Sequence, residues 1–363
     1  MKKPVVPSNG PKPVGPYTPG LLCGDFLYAS GQGSRSASGG EMPADFPTQV
    51  RNSIQNVRLI IEAGGMQMKD IVYSQVYLAD MSRFPELAAL WKEGFPEGGP
   101  AFSVLGVARM PTETPVEISA VATRGATRPH ADVREAGGRL YFSGVGGATP
   151  ALAMENLAKR AKAAGIDLGH FAFVNAYCAG VTLAQLNEVY APYFDAGNAP
   201  ARASMIVDSL PPGMTVELTG VAVRDLSTRR VVRPRNMAPS RTASPAVWAG
   251  DTLYLSAKSG FIPGPNAGIY GGTVEQQVRQ TMRNLLDGLE ETGLDFSHVV
   301  ASNVYVDDLA EFAKMNGIYG SFFKDAPPTR TTVQTLKPVA SRAASASGTY
   351  PMLEQVSVVA WKG

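Results

Sequence analysis

Apolar and polar residues alternate along the chain in a pattern that occurs three times. Apolar residues spaced three or four positions apart predict an amphipathic helix in two distant places: Val50, Ile54, Val57 and Ile61, and again Val278, Met282, Leu285 and Leu289. A glycine suited to end a helix follows each of three helical segments: Gly65, Gly165 and Gly293. Runs of β-branched and aromatic residues then predict a strand in each series: 71–78, 173–178 and 299–306.

The elements around these segments also recur in one order. Two strands joined by a glycine-containing turn precede each first helix, with the turns at 24–25, 137–138 and 250–251. A second helix is predicted at about 83–94, 183–194 and 310–323, and two closing strands follow it. The order ββαβαββ in every series predicts an α+β unit with a mixed sheet and two helices on one face.

Individual residues repeat together with the pattern. An offset of 228 carries Gln49-Val50-Arg51 onto Gln277-Val278-Arg279, and an offset of 100 carries Glu117 onto Glu217. Ser30 corresponds to Ser143 at an offset of 113, so the middle copy is 13 residues shorter in the loop that follows. The chain therefore divides into three predicted domains at 1–125, 126–236 (with the shortened loop) and 237–363.

Composition and charge exclude several classes of protein. The 363 residues are too many for one core but enough for three, and 44% apolar residues can build them. Lys+Arg 33 against Asp+Glu 31 leaves a net charge of +2, which disfavours nucleic acid as a partner. Two cysteines and three histidines are too few for a Cys/His metal cluster, so we expect no metal. No apolar run is long enough to span a membrane, and Met1-Lys2-Lys3-Pro4 does not have the pattern of a signal peptide, so we expect a cytoplasmic protein without a membrane partner.

Short motifs at matching places in the three repeats resemble one known family. Each repeat has a related segment before its closing strands: Pro100-Ala101-Phe102-Ser103, Pro200-Ala201-Arg202-Ala203 and Pro328-Thr329-Arg330-Thr331. A glutamate follows 15 residues later in the first two repeats, at Glu117 and Glu217. With Gly15-Pro16-Tyr17 and Ser30-Gly31-Gln32, these segments resemble the Rid family, also called YjgF/YER057c/UK114 or endoribonuclease L-PSP proteins.

The resemblance implies an architecture as well as a fold. Members of the family are homotrimers with a chorismate-mutase-like fold and a cleft between each pair of neighbouring subunits. A chain with three copies is therefore expected to be a monomer that forms an intramolecular pseudo-trimer, since cyclic assemblies close on themselves. The three sheets would form a central barrel-like core, and the helices would lie outside it.

The resemblance also implies an activity. Family members hydrolyse enamines and imines such as 2-aminoacrylate and 2-iminopropanoate to a 2-oxo acid and ammonia. Such a reaction needs an arginine for the substrate carboxylate and an acid/base group for water. No cofactor is expected, because the imine carbon is already electrophilic. The partner implied is therefore a small carboxylate-bearing imine or enamine.

The family's site residues can be carried over only unevenly. The carboxylate-binding arginine is Arg202 or Arg330, while the first repeat has Phe102 in its place. The water-handling glutamate is Glu117 or Glu217. In the third repeat Gln355 takes this place, since the adjacent Glu354 would face the other side of its strand.

The remaining polar positions are also unequal among the repeats. A helix asparagine occurs as Asn187 and Asn316 but is Ala88 in the first repeat. The family's tyrosine is Tyr17, which becomes His130 and Ala243 in the other repeats.

One cleft is expected to be more complete than the other two. The second repeat alone has arginine, glutamate and asparagine together, so the leading site combines Arg202, Glu217 and Asn187 with Tyr17 and Ser30 of the first repeat. Arg202, Glu217 and Tyr17 are its predicted catalytic residues. Substrate binding is assigned to a wider set: Asn187, Ser30, Arg330, Asn316, Glu117 and Gln355. The order of repeats around the axis stays open, and it decides whether Tyr17 meets Arg202 or Arg330.

Other functions remain open at this stage. The uneven clefts are compatible with a divergent enzyme that acts on another small substrate. They are equally compatible with a protein that binds a small carboxylate without turnover. An endoribonuclease would need a basic groove for its substrate, which the net charge of +2 disfavours.

Overall fold

The first repeat folds as a mixed sheet with two helices packed on one face. The structure is a computed structural model that describes residues 2–96, 98–234, 239–264 and 268–363. The first sheet has the strand order β1-β2-β3-β6-β4-β5, and only β4 and β5 run parallel within the described residues. Its elements are β1 (Lys3–Val5), β2 (Gly20–Cys23), β3 (Phe26–Gln32), α1 (Phe46–Ala63), β4 (Ile71–Leu78), α2 (Phe84–Gly94), β5 (Ala101–Gly106) and β6 (Val116–Thr123).

The second repeat has the same topology with a shorter loop. Its sheet has the order β11-β10-β12-β9-β8-β7. Its elements are β7 (Thr127–His130), β8 (Val133–Ala136), β9 (Arg139–Gly147), α3 (Pro150–Ala163), β10 (Phe171–Cys178), α4 (Leu183–Tyr190), β11 (Ala201–Ile206) and β12 (Val216–Val223). Only residues 148 and 149 separate β9 from α3, in agreement with the predicted shortening.

The third repeat completes the set. Its sheet has the order β13-β14-β15-β19-β17-β18, and β16 pairs with β19. Its elements are β13 (Arg229–Val232), β14 (Ala246–Ala249), β15 (Thr252–Leu255), β16 (Lys258–Ser259), α5 (Val274–Glu290), β17 (Val299–Val306), α6 (Phe312–Gly320), β18 (Thr329–Gln334) and β19 (Glu354–Trp361). The predicted boundary between 236 and 237 lies outside the described residues. The third sheet already begins at Arg229.

Local sequence signals explain where the long helices begin and end. Asp45 and Thr149 accept hydrogen bonds from the first turns of α1 and α3, and Thr273 forms a capping box with Gln276 at the start of α5. The predicted stop glycines adopt the left-handed conformation that other residues avoid, with φ of +73°, +78° and +74° at Gly65, Gly165 and Gly293.

Two kinds of hydrophobic core stabilise the molecule. Each helix pair packs on its own sheet, where it buries apolar residues of one repeat only. The opposite faces of the three sheets pack together in the centre, where equivalent tyrosines meet in two layers: Tyr28, Tyr141 and Tyr254, and Tyr77, Tyr177 and Tyr305. This arrangement confirms the predicted α+β fold with three sheets around a common core and the helices outside. No helix in the described ranges is long and apolar enough to cross a membrane.

A matching hydrogen bond joins each repeat to the next one. The backbone N–H of Phe102 donates to Oγ of Ser143 (3.2 Å), and that of Arg202 donates to Oγ of Ser256 (2.8 Å). The backbone N–H of Arg330 donates to Oγ of Ser30 (3.0 Å), so the third repeat returns to the first. The order of neighbours in the ring is therefore first to second, second to third and third to first.

Candidate functional site

The three junctions between repeats have equivalent strand pairing and different side chains, and they are named clefts A, B and C. In cleft A, Arg330 of the third repeat faces the first repeat and its Glu117. In cleft B, Arg202 of the second repeat faces the third repeat and its Gln355. At the third junction, cleft C, Phe102 of the first repeat adjoins Ser143 of the second. The cross-strand partners confirm this equivalence, because the same position pairs with a tyrosine in every repeat: Tyr77 with Glu117, Tyr177 with Glu217 and Tyr305 with Gln355.

Arg330 supplies a buried positive charge to cleft A. The residue is only 4% exposed, and its guanidinium carbon lies 5.0 Å from the ring centre of Tyr319 and 5.5 Å from that of Tyr17. Within the described residues, its Nη1 atom has no hydrogen-bond partner and the side chain forms no ion pair. Burial lowers the pKa of the Arg330 guanidinium. A cation held in this way is suited to bind a carboxylate from outside the protein.

Glu117 supplies an acid/base group to the same cleft. Its side chain is 7% exposed, and burial raises the pKa of the carboxyl to about 8, while the charge of Arg330 acts in the opposite direction. Gly31 makes room for this carboxyl, since a Cβ atom at position 31 would collide with Oε1 of Glu117. The glutamate is therefore mostly protonated near neutral pH and can exchange a proton there.

Tyr17 and Asn316 complete the wall around Arg330. A Cβ atom on Gly15 would lie 2.6 Å from Nη2 of Arg330 and 3.2 Å from Nδ2 of Asn316, so the segment before Tyr17 lies against both side chains. The Tyr17 hydroxyl accepts a hydrogen bond from the backbone N–H of Val14 (3.2 Å). Burial raises the pKa of Tyr17, which keeps the phenol neutral. The predicted residues Tyr17, Asn316, Glu117 and Arg330 are thus found in one place.

Ser30 contributes to the junction between the first and third repeats. Its side chain is 1% exposed, and the hydroxyl donates to the carbonyl of Thr18 (2.6 Å) while it accepts from the N–H of Arg330. The hydroxyl thereby holds the backbone of Arg330 against the first repeat. That Ser30 also binds substrate stays a prediction.

Cleft B has an arginine, and glutamine stands where clefts A and C have their glutamate. Arg202 donates to Oδ1 of Asn187 (2.6 Å), and its guanidinium carbon lies 4.6 Å from the ring centre of Tyr190. Gln355 lines this cleft together with Arg202. Its neighbour Glu354 points away, as predicted, and binds Thr281 of α5, and burial raises the pKa of that carboxyl to about 8.

Cleft C has a glutamate, and phenylalanine stands where clefts A and B have their arginine. Glu217 is 2% exposed and accepts a hydrogen bond from Ser103 of the first repeat. Burial raises its pKa to about 7. Phe102 takes the place of the arginine, and its ring centre lies 5.2 Å from that of Trp91. Arg160 contributes a charge near Glu217, but it pairs with Asp132 (3.1 Å).

The predicted grouping of site residues is corrected by this geometry. The leading site was expected to combine Arg202, Glu217 and Asn187 with Tyr17, but Arg202 and Asn187 lie in cleft B and Glu217 lies in cleft C. Tyr17 meets Arg330 in cleft A, which has the arginine, glutamate, tyrosine and asparagine together. The sequence prediction missed Lys258, which lines cleft B at the position equivalent to Gln32. Applying the offset between the first and third hairpins would have found it.

Comparisons with known proteins match each repeat separately. The family described as Endoribonuclease L-PSP matches residues 7–124, 126–224 and 235–340. The 2-iminobutanoate/2-iminopropanoate deaminase of Escherichia coli (strain K12) is 37% identical over 127 residues, which are 34% of this chain and 99% of that protein. RutC family protein PH0854 of Pyrococcus horikoshii is 35% identical over 123 residues, which are 34% of this chain and 98% of that protein.

Solved structures about as long as one repeat also match one third of the chain. The YjgF gene product of E. coli is 37% identical, covers 34% of this chain and 98% of its own, and gives a TM-score of 0.33. E. coli TdcF, solved with bound serine, is 33% identical, covers 34% of this chain and 99% of its own, and also gives a TM-score of 0.33. The family matches cover most of this chain in three successive segments. The chain therefore belongs to the Endoribonuclease L-PSP family.

Proposed function

We propose that cleft A hydrolyses small 2-imino acids and their enamine tautomers, of the 2-iminopropanoate type, to a 2-oxo acid and ammonia. The observation that supports this proposal is that Arg330 and Glu117, which come from different repeats, meet in one buried cleft. The relatives named as deaminases support the same class of reaction. Gln355 replaces the glutamate in cleft B and Phe102 replaces the arginine in cleft C, so the proposal assigns the activity to cleft A alone.

Binding begins with the substrate carboxylate. Arg330 is buried, and its Nη1 atom has no hydrogen-bond partner among the described residues. A carboxylate oxygen that accepts from Nη1 restores this lost interaction, and charge-assisted hydrogen bonds of this kind are the strong ones. Asn316 and the ring of Tyr17 border the same space, so they orient the bound carboxylate. The reacting carbon then lies toward Glu117 in the proposed complex.

Glu117 then moves the protons. In its protonated form it donates a proton to the methylene carbon of 2-aminoacrylate, which produces the iminium. As a carboxylate it takes a proton from water while the water oxygen bonds to the iminium carbon. It next protonates the amino nitrogen, the C–N bond breaks and ammonia leaves, and the hydroxyl proton of the intermediate returns to Glu117. The pKa of about 8 makes both forms of the carboxyl accessible near neutral pH.

The direct test is an imine-trapping assay. An amino-acid oxidase acting on alanine generates 2-iminopropanoate in situ, and semicarbazide traps the imine that is not hydrolysed. The full chain should lower the rate of semicarbazone formation and speed the release of ammonia. Arg330→Ala should lower kcat/KM by roughly 10- to 100-fold, the value of losing a hydrogen bond to a charged group.

The matched control is the same change in the neighbouring cleft. Arg202→Ala removes an equivalent arginine from cleft B and should leave the rate of imine hydrolysis unchanged. Circular dichroism and thermal melting establish that both variants are folded. A folded Arg330→Ala protein with the full rate, or an Arg202→Ala protein that loses the activity, would contradict the assignment to cleft A.

A further inference from the structure

Cleft B contains buried polar groups that lack partners. Arg202 is 9% exposed, and its Nη1 atom has no hydrogen-bond partner among the described residues. The Oε1 atom of Gln355 is likewise buried and without a donor in that part of the chain. Both residues line a cavity of about 280 Å3 between the second and third repeats. Unpaired buried polar groups are costly, so a site of this kind is suited to a polar ligand.

A second positive charge lies in the same cavity. Lys258 is half-buried on β16 and lines the cavity with Arg202 and Gln355. It forms no ion pair and no hydrogen bond through its side chain within the described ranges, and Asp287 of α5 acts on it only from beyond ion-pair distance. Burial lowers the pKa of the Lys258 ammonium, which means that the charge is poorly compensated by the protein.

The equivalent positions show that this lysine is particular to cleft B. Gln32 in the first repeat and Val145 in the second occupy the place of Lys258, as their pairing with Ile118, Leu218 and Val356 demonstrates. None of the described residues that line cleft B carries a carboxylate. Arg202 and Lys258 therefore share one cavity without an anion from that part of the chain.

We propose that cleft B binds a small molecule with two negatively charged groups, of the dicarboxylate type, and does not hydrolyse it. Arg202 binds one carboxylate through its open Nη1 donor. Lys258 binds the second anionic group, and Gln355 accepts a hydrogen bond from a polar group of the ligand. This site is separate from cleft A and does not depend on the function proposed for it.

The absence of turnover follows from two residues. Gln355 stands where Glu117 and Glu217 stand in the other repeats, and an amide cannot exchange a proton as a carboxyl does. Ala257 stands where Gly31 leaves space for the carboxyl of Glu117. The methyl group of Ala257 therefore occupies the space that a catalytic carboxyl would need.

The test is titration calorimetry on the full chain with Arg330→Ala, which removes the buried arginine of cleft A and leaves only the exposed Lys12 and Arg35 among the cations that line it in the described residues. The two probes are 2-oxoglutarate, a dicarboxylate, and 2-oxobutanoate, a monocarboxylate. We expect one site per chain and about tenfold tighter binding of 2-oxoglutarate, the value of one added hydrogen bond to a charged group. No detectable binding of 2-oxoglutarate to this protein overturns the proposal.

Two further variants in the same background assign the two charges. Adding Arg202→Ala should weaken both probes at least tenfold. Adding Lys258→Met, which keeps the apolar stem, should weaken 2-oxoglutarate to the level of 2-oxobutanoate and leave 2-oxobutanoate unchanged. Equal losses for both probes with Lys258→Met, or unchanged affinity with Arg202→Ala, overturn the proposal. Imine hydrolysis by the chain with an intact Arg330 is measured separately, so failure in one cleft is not confused with failure in the other.

Discussion

Clefts A and B differ in chemistry although their backbones are equivalent. Both have a buried arginine held over a tyrosine ring, with an asparagine nearby. Cleft A adds Glu117, whereas cleft B has Gln355 and Ala257 in the corresponding places. In a homotrimer of identical subunits every cleft would be the same, because symmetry copies each residue three times. A single chain with three repeats specifies each cleft separately, and this is why one scaffold can hold sites with unequal functions.

The largest difference in activity between the clefts is expected when the acid/base glutamate is replaced. Glu117→Gln should lower kcat for imine hydrolysis by roughly 10²- to 10⁴-fold, the usual contribution of a general acid/base. Glu217→Gln changes the equivalent glutamate of cleft C and should leave kcat unchanged, because that cleft has no arginine for the substrate. Steady-state kinetics of both variants in the imine-trapping assay measure the difference. Equal losses in the two variants would show that cleft C also takes part.

A second change should move cleft B toward cleft A. Gln355→Glu alone should stabilise the fold by about 1 kcal/mol, because glutamate has the size of glutamine and its carboxylate shares the cavity with the Arg202 and Lys258 cations. Adding Ala257→Gly should lower stability by roughly 0.5–1 kcal/mol, because glycine loses more conformational freedom on folding than alanine. Urea unfolding measures both values, and the difference between the single and the double variant isolates the effect of the methyl group.

The double variant also tests the chemistry. In an Arg330→Ala background, Gln355→Glu with Ala257→Gly should produce measurable imine hydrolysis in cleft B. Arg202→Ala added to that protein is the control and should remove the activity again. A stable double variant without activity would show that the missing tyrosine of cleft B, where Ala243 replaces Tyr17, is also required.

The pH dependence should follow from the raised pKa of Glu117. With 2-aminoacrylate as the substrate the protonated carboxyl starts the reaction, so the rate should fall as the pH rises through about 8. With 2-iminopropanoate the reaction starts from the carboxylate, so the rate should not fall in this way. Rates of ammonia release from the two substrates between pH 6 and pH 9 measure the difference.

The raised pKa of Glu117 also affects stability. A carboxyl with its folded-state pKa raised from 4.5 to about 8 binds more protons in the folded state, so stability decreases as the pH rises between these values. Glu117→Gln should reduce this decrease by at least about 1 kcal/mol, the order of magnitude of one pKa unit. Thermal unfolding of the unchanged protein and of Glu117→Gln at pH 5 and pH 8 measures this change in stability.

The smallest effect is expected from the serines that join the repeats. Ser30→Ala and Ser256→Ala remove equivalent hydroxyls, and each should cost about 1–2 kcal/mol because a backbone N–H loses its buried acceptor. Only Ser30→Ala should also reduce imine hydrolysis, since Ser30 positions Arg330. Activity and urea unfolding of the two variants give the comparison. A loss of activity with Ser256→Ala would contradict the separation of the clefts.

Much of the fold follows from local sequence. The helix spacing, the stop glycines and the repeated order of elements depend on neighbours in the chain, and the structure confirms them in every repeat. The alternation of side chains along a strand also separates Gln355 from Glu354 correctly, because it follows from backbone geometry alone.

The grouping of the site residues could not be predicted in the same way. Each cleft combines residues of two repeats. The sequence pattern within a repeat is compatible with either order of the repeats around the axis, so it does not show which repeats face each other. Arg202 and Glu217 belong to one repeat and were therefore expected together, yet they face different neighbours. The role of Ser30 was missed for the same reason, since its acceptor function serves a residue 300 positions away.

The bond between Arg330 and Ser30 also determines when cleft A can exist during protein synthesis. The first and second repeats leave the ribosome while the third is still being made, so cleft C can form early. Cleft B needs only the second and third repeats. Cleft A requires the last repeat to dock on the first, across a separation of 300 residues that makes this contact slow to form. Imine hydrolysis would thus begin only after the third repeat has docked on the first. A nascent or truncated chain would show no activity in the imine-trapping assay.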